Sequence, residues 1–200
     1  MKIGIDIDDT CFYTAEAMIK YADIFEEERT GIINKRDTLG LIKNRYYLKA
    51  IYNWNREIKF DFFNKYYKNV LEECSMLSNV NIIIDKLKRD GHSVHFVTAR
   101  LMNIDNCDTR KITLESFKNN NINFDSLDLG VSNKIPFFKE NHIDVCIEDS
   151  YETCKEAESE GIKSILMTTK MNKNIDSGSI IRVNNWNEVY NKIDLLNKHN

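Results

Sequence analysis

The segment Lys2–Thr10, with the sequence KIGIDIDDT, decides how the rest of the chain is interpreted. It opens with a short apolar run, which is typical of a strand buried on both faces of a parallel sheet. Asp6 and Asp8 would then lie at the carboxyl end of this strand, where open α/β sheets bind their ligands.

Side chains two positions apart on a strand point to the same side of the sheet. Placing the carboxylates of Asp6 and Asp8 together is costly unless a cation or a protein donor lies between them. The pair therefore predicts a metal site, and a ligand set made only of oxygen atoms predicts Mg²⁺. A strand that simply ends in a solvated acidic turn is the alternative.

Length and charge limit the classes of function. The chain has 200 residues, 42% of them apolar, and a formal net charge of −3. This length suits one domain of moderate size, or a domain with an insertion. The absence of a long basic run argues against a nucleic-acid polymer as ligand, whereas a small phosphorylated ligand needs only a few local cations.

The cysteines and the N-terminal region bear on the cellular compartment. Five cysteines are scattered along the chain without a C-x-x-C pair, which favours neither a disulfide framework nor a zinc site. The early carboxylates do not fit an export signal, and no apolar run approaches the length of a membrane span. We therefore expect a cytoplasmic protein without a membrane partner. The sequence leaves a homodimer open.

A helical segment separates the first strand from the next strand signal. Residues 14–29 show apolar positions at helical spacing, with Thr14 as a candidate N-cap. Nine aromatic residues then crowd into positions 46–67 among lysines and arginines, which indicates two or three amphipathic helices within 30–75. We predict that 13–75 is an inserted helical cap. Most of its rings should form its own core, and one or two could stack on a base.

Strand and helix signals alternate over the rest of the chain. Strands are predicted at 93–98, 127–131, 143–147, 164–167 and 180–183. Helices are predicted at 78–90 (with Ser78 as N-cap), 106–120, 151–160 and 186–196, and a short helix has Pro136 in its first turn. This alternation predicts an α/β fold with a doubly wound parallel sheet, formed by 1–12 and 76–200.

Four of the predicted strands end in polar residues. The first is followed by Asp6 and Asp8, the second ends in Thr98, Ala99 and Arg100, the third is followed by Lys134, and the fourth by Glu148 and Asp149. In a parallel sheet these strand ends meet at one edge. Such a set fits phosphoryl transfer, in which a metal and a lysine offset the phosphate charge and a hydroxyl or backbone amide holds an oxygen. One carboxylate can attack phosphorus, and a second can act as general acid and base.

The four segments resemble, in order, the four signature motifs of the haloacid dehalogenase (HAD) superfamily. Asp6–Thr10 matches the first motif, D-x-D-x-T, and Thr98 matches the hydroxyl residue of the second. Lys134 matches the lysine of the third motif, and Glu148–Asp149 matches the acidic pair of the fourth. The resemblance covers about 1–12 and 76–170, and implies the Rossmann-like HAD core.

The resemblance also implies roles for these residues. Asp6 would be the nucleophile and a Mg²⁺ ligand, and Asp8 would be the general acid and base and would lend its backbone carbonyl to the metal. Asp149 would complete the metal site, with Glu148 helping directly or through water. Thr98 and Lys134 would hold the phosphoryl oxygens.

Ala99 and Arg100 join the expected substrate-binding set, since they follow Thr98 directly. Arg100 could reach the substrate phosphate or pair with a carboxylate, and both alternatives stay open.

Within the superfamily the chain looks most like the 5′(3′)-deoxyribonucleotidase-like bacterial nucleotidases. This implies a Mg²⁺-dependent phosphomonoesterase that acts on (deoxy)nucleoside monophosphates through an aspartyl-phosphate. A phosphatase for a sugar phosphate or another small metabolite is the first alternative. A non-catalytic nucleotide-binding regulator is the second.

Overall fold

The computed structural model describes residues 1–44 and 46–198. Arg45 of the predicted cap and residues 199–200 of the predicted core lie outside the described residues. Six parallel strands form one sheet in these residues, in the order β3-β2-β1-β4-β5-β6. The strands are β1 (Lys2–Ile5), β2 (Ser93–Val97), β3 (Ser126–Asp128), β4 (Val145–Glu148), β5 (Lys163–Met167) and β6 (Ile181–Val183). The strand order reverses between β1 and β4, which places the topological switch point there.

Helices connect the strands and cover the sheet. They are α1 (Thr14–Thr30), α2 (Tyr47–Tyr52), α3 (Arg56–Glu73), α4 (Val80–Arg89), α5 (Thr109–Asn119), α6 (Lys134–Glu140), α7 (Tyr151–Ser159) and α8 (Trp186–Lys198). The predicted α/β fold with a doubly wound parallel sheet is therefore confirmed. Within residues 1–44 and 46–198, none of the helices combines the length and apolar character that a bilayer crossing requires.

Both faces of the sheet are buried. Ile3 and Ile5 of β1 pack in one apolar cluster with α4 and α8. On the other face, Phe138 of α6 and Ala157 of α7 pack in a second cluster. Gly4 permits this close approach, because a Cβ atom there would lie 3.1 Å from Phe138 and Ile143. Burial on both faces explains why β1 is a continuous apolar run and not an alternating one.

The helices α1, α2 and α3 share a separate apolar cluster. At its centre the ring of Trp54 lies 5.3 Å from Phe25 and 5.2 Å from Phe62, and its Nε1–H donates to Glu26 Oε2 at 2.7 Å. Seven of the nine aromatic residues at 46–67 pack in this cluster, whereas Tyr46 and Phe60 are exposed. The prediction that most of these rings pack on one another is confirmed.

Two predicted N-caps were wrong, and several predicted boundaries moved, most of all at α5 and β3. Ser78 is not the N-cap of α4, because Asn79 precedes the helix with φ of +66°. Helix α5 begins at Thr109, where Asp108 accepts the backbone N–H of Lys111 at 2.9 Å. Strand β3 ends at Asp128, the last position paired with β2.

Thr14 is likewise not an N-cap, since it is the first residue of α1 and Tyr13 precedes it. Its hydroxyl instead donates to Asp8 Oδ1 at 2.8 Å. The side chain that looked like a local helix cap therefore reaches the expected active site.

Candidate active site

Three carboxylates meet at the switch point. Asp6 follows β1 directly, and its backbone N–H donates to Ile147 O at 3.0 Å, which extends the pairing of β1 with β4. Glu148 is the last residue of β4, and Asp149 is the next one along. One carboxylate oxygen from each of Asp6, Glu148 and Asp149 lies within 4.8 Å of the others. The parallel pairing of β1 and β4 thus assembles an oxygen-only cluster.

Lys134, at the start of α6, supplies a cation to this cluster. Its Nζ lies 2.5 Å from Asp6 Oδ1 and 2.7 Å from Glu148 Oε1. Burial lowers the pKa of Lys134, but the charges of Asp6 and Glu148 outweigh it and leave the pKa above the ordinary value. The side chain therefore stays an ammonium ion that bridges two carboxylates.

The remaining negative charge is poorly compensated. Burial raises the pKa of Asp6, against the opposing effect of Lys134. Burial, together with the charges of Asp9, Asp6 and Glu148, also raises the pKa of Asp149 well above its ordinary value. Such shifts show that the carboxylate forms are held at a cost, which a hard cation bound to the cluster would relieve.

Asp8 has a different partner. Its Oδ1 accepts hydrogen bonds from Arg100 Nη2 at 2.7 Å, Arg100 Nε at 3.0 Å and Thr14 Oγ1 at 2.8 Å. Arg100 Nη1 donates to Thr113 Oγ1 at 2.9 Å. Of the two alternatives for Arg100, the structure shows the pairing with a carboxylate. Asp6 and Asp8 therefore have separate protein cations.

Thr98 and Ala99 follow β2, the neighbour of β1. Thr98 is buried, and its backbone donates to Asp128 O at 3.0 Å and accepts from Val131 N at 2.9 Å. Its Oγ1 accepts a longer hydrogen bond, 3.3 Å, from the backbone N–H of Arg100. Ala99 is half-buried. These contacts hold the Thr98 backbone rigidly at the same edge of the sheet as Asp6.

Two further residues contact the site. Asp9 is buried with φ of +60°, its Oδ1 accepts the backbone N–H of Ala15 at 2.8 Å, and burial raises its pKa to about 8. Asn172 is also buried, and its Nδ2 donates to the carbonyl of Asp149 at 2.8 Å. Sequence reasoning assigned neither a role. Asp9 is the third carboxylate within four residues, which was a signal for it, whereas nothing local marks Asn172.

Two tyrosines of the helical segment lie on the side of the site. The hydroxyl of Tyr67 in α3 accepts the backbone N–H of Leu101 at 3.1 Å, next to Arg100. Burial and then the charges of Asp9, Asp8 and Asp149 raise the pKa of Tyr47 well above its ordinary value. Burial and then the charge of Asp8 also raise the pKa of Tyr67, so both tyrosines lie within the electrostatic influence of the carboxylates.

Two proteins similar to this chain are named as nucleotidases. No protein-family model matches the chain. A Clostridium acetobutylicum protein named as a nucleotidase is 30% identical over 200 residues, which cover 98% of this chain and 95% of that protein. The Bacillus subtilis protein YqfW, provisionally named a nucleotidase, is 28% identical over 204 residues, covering 100% of this chain and 96% of that protein.

Solved structures share the fold. A haloacid dehalogenase-like hydrolase from Streptococcus pneumoniae superposes with a TM-score of 0.67 at 13% identity, over 96% of this chain and 97% of that one. The chain belongs to the family of the Clostridium acetobutylicum nucleotidase, and its fold is that of haloacid dehalogenase-like hydrolases. It is accordingly a phosphoric monoester hydrolase.

Proposed function

We propose that this protein is a Mg²⁺-dependent 5′-nucleotidase, which hydrolyses (deoxy)nucleoside monophosphates through an aspartyl-phosphate on Asp6. The observation that carries the proposal is the cluster of Asp6, Glu148 and Asp149, with Lys134 bound to Asp6 at 2.5 Å. The cluster combines a nucleophile, a cation for the phosphate and a set of metal ligands within one buried site.

The donor set fits Mg²⁺. All three side chains offer carboxylate oxygens, which this hard cation prefers over nitrogen or sulfur. Asp6 and Asp149 would hold the ion together with the backbone carbonyl of Asp8, and Glu148 would support it directly or through water. When bound, Mg²⁺ would supply positive charge that offsets the phosphate and orients it.

Asp6 starts the reaction. Its carboxylate oxygen attacks the phosphorus, the ester P–O bond breaks, and Asp8 gives a proton to the leaving oxygen. Lys134, Thr98 and the backbone of Ala99 bind the phosphoryl oxygens, where negative charge develops. The product of this step is an alcohol and an aspartyl-phosphate.

Asp8 then acts as a base. Its carboxylate takes a proton from water, and the oxygen of that water attacks the phosphorus of the aspartyl-phosphate. The bond to Asp6 breaks, inorganic phosphate leaves, and both aspartates return to their starting state. Because one residue serves as acid and then as base, each turnover is balanced in protons.

The helical segment supports a nucleotide as substrate. We propose that 13–75 acts as a cap over a core formed by 1–12 and 76–200, with Tyr47 and Tyr67 within the electrostatic influence of the carboxylates. A ring can stack on a base, whereas a sugar would call for more polar groups. Two relatives are named as nucleotidases, which favours the same class. A sugar phosphate is the second candidate.

The test is phosphate release from nucleoside monophosphates and sugar phosphates, with Mg²⁺ and with EDTA. Mg²⁺-dependent release that is highest on nucleoside monophosphates is expected. Release that is highest on sugar phosphates would keep the mechanism and replace the substrate. Release that persists in EDTA would remove the metal from the proposal. No release from any substrate would favour a nucleotide-binding regulator.

A further inference from the structure

All hydrogen bonds to the Asp8 carboxylate converge on one oxygen. Two come from the Arg100 guanidinium and one from Thr14, and each ends on Oδ1. Arg100 thus binds side-on, with Nε and Nη2 at 3.0 and 2.7 Å from the same atom. In the part of the chain that the structure describes, Oδ2 of Asp8 receives no hydrogen bond.

We propose that Arg100 is a positioning residue for the general acid and base, and not a ligand of the substrate phosphate. It holds Asp8 by Oδ1, so that Oδ2 faces the reacting atoms and carries the proton. This inference rests on the proposed function, because it assigns Asp8 the role described above. It replaces the expectation that the Arg100 side chain binds substrate.

The burial of the two side chains supports a positioning role for Arg100 and a proton-transfer role for Asp8. The side chain of Arg100 is 2% exposed, whereas that of Asp8 is 30% exposed. A phosphate would have to displace the groups that cover the guanidinium in order to reach it. The open part of the pair is therefore the carboxylate, at Oδ2, to which none of residues 1–44 and 46–198 donates a hydrogen bond.

The guanidinium is itself held in place. Arg100 Nη1 donates to Thr113 Oγ1 at 2.9 Å, and the Thr113 hydroxyl donates to the backbone carbonyl of Thr109 at 2.7 Å. Thr113 is fully buried within α5. Because the guanidinium is planar and its donors have fixed directions, anchoring one nitrogen fixes the direction of the others. Helix α5 thus sets the orientation of Asp8 through Arg100.

Leaving-group dependence distinguishes acid positioning from phosphate binding. An alkoxide is a poor leaving group that needs its proton, whereas p-nitrophenolate leaves readily without one. General acid catalysis contributes roughly 10²–10⁴-fold where it is needed. In kcat/KM, which covers only the steps up to the aspartyl-phosphate, a residue that serves the acid should therefore matter for an alkyl phosphate and much less for p-nitrophenyl phosphate. A residue that binds phosphate should matter equally for both.

The experiment measures kcat and KM of Arg100→Gln on p-nitrophenyl phosphate and on the alkyl phosphate that the native enzyme hydrolyses best. The value of kcat/KM should fall by about 10-fold or more on the alkyl phosphate and by less than about 3-fold on the aryl ester. Most of the loss should be in kcat. Arg100→Lys should recover part of it, since it keeps the charge and loses the side-on geometry. Equal losses on both esters, or a loss confined to KM, would overturn the inference.

Asp8→Asn separates this inference from the proposed function. That variant should show the same leaving-group selectivity, and Asp8→Asn with Arg100→Gln should be no worse than Asp8→Asn alone on the alkyl phosphate. If Asp8→Asn shows no selectivity, the proposed role of Asp8 is wrong. If it shows selectivity and Arg100→Gln does not, the positioning role of Arg100 is wrong.

Thr113→Val keeps the inference testable if Arg100→Gln does not fold. It removes the hydroxyl that orients the guanidinium, and a selective loss of about 2–5-fold on the alkyl phosphate is expected. The control is Ser164→Ala, which removes another buried hydroxyl, one bound to Glu158 at 3.0 Å. Equal rates for Thr113→Val and the control on both esters would count against the anchor, and with it the positioning role.

Discussion

The two edges of the sheet carry the same kinds of charged residue in opposite surroundings. At the amino edge, Lys88 Nζ pairs with Asp125 Oδ2 at 2.7 Å, and the two side chains are 20% and 40% exposed. At the carboxyl edge, Lys134 pairs with Asp6 and Glu148 at similar distances, but these side chains are 7%, 8% and 2% exposed.

The difference supports the proposal that the charges of the carboxyl edge serve chemistry and those of the amino edge do not. An exposed ion pair keeps most of its hydration and contributes little to stability. A buried one loses its hydration, and its mutual attraction often fails to compensate. The proposed reaction explains why the charges of the carboxyl edge are buried, and variants at the two edges should therefore behave differently.

The largest difference should appear in activity. Asp6→Asn removes the proposed nucleophile and should lower kcat/KM by about 10³-fold or more. Asp144→Asn is the matched change at the amino edge, where Asp144 accepts the backbone N–H of Lys2 at 2.7 Å, and it should leave the rate within about 2-fold. Phosphate release measures both, and circular dichroism checks the fold. An Asp6→Asn enzyme within 10-fold of the native rate would remove Asp6 from its role.

A smaller difference should appear in stability. Lys134→Met leaves Asp6 and Glu148 as buried carboxylates without their cation, which should cost about 3–5 kcal/mol. Lys88→Met breaks a solvated pair and should cost about 1 kcal/mol or less. Urea unfolding of the two variants in EDTA at pH 7.5 gives both free energies. Equal losses would show that burial does not separate the two edges.

The smallest difference concerns pH. In the metal-free protein the pKa of Asp9 is about 8, against an ordinary 3.8, so the folded chain binds this proton more tightly than the unfolded chain. The corresponding stability is present below pH 4 and is lost as the pH rises to about 8. Lys88 and the backbone N–H of Val94 instead hold the pKa of Asp125 below its ordinary value against the effect of burial, so its contribution is lost only in acid.

Unfolding at pH 5.5 and 8.5 in EDTA checks this sign. Asp9→Asn should reduce the loss of stability between the two values by up to about 3 kcal/mol, whereas Asp125→Asn should leave that difference unchanged. A native protein that is more stable at pH 8.5 than at 5.5 would contradict the raised pKa of Asp9.

Much of the fold could be predicted because its signals are local. Apolar runs mark the strands, and helical spacing marks the helices between them. The boundaries that moved depend on partners elsewhere, as at Asp128, where β3 loses its pairing with β2. The sequence also predicts that Asp6, Lys134 and Glu148 lie close together, since residues at the carboxyl ends of parallel strands meet at one edge of the sheet.

Other parts of the site could not be predicted. Arg100 lies 92 positions from Asp8 in the sequence, which left open whether its guanidinium binds the substrate phosphate or a carboxylate. Only its packing against α5 decides for the carboxylate. Asn172 reaches the Asp149 carbonyl across 23 positions. Its partner is a backbone atom, which leaves no pattern in residue types.

The sequence by itself determined the strands, the order of the polar residues at their ends and the members of the acidic cluster. These features are local, because apolar periodicity and strand-end residues depend on a few neighbouring positions. Only the tertiary structure decided which cation serves which carboxylate and which oxygen of Asp8 stays open. Those choices depend on distances of about 3 Å between residues far apart in the chain, and on the burial that makes an unpaired charge costly.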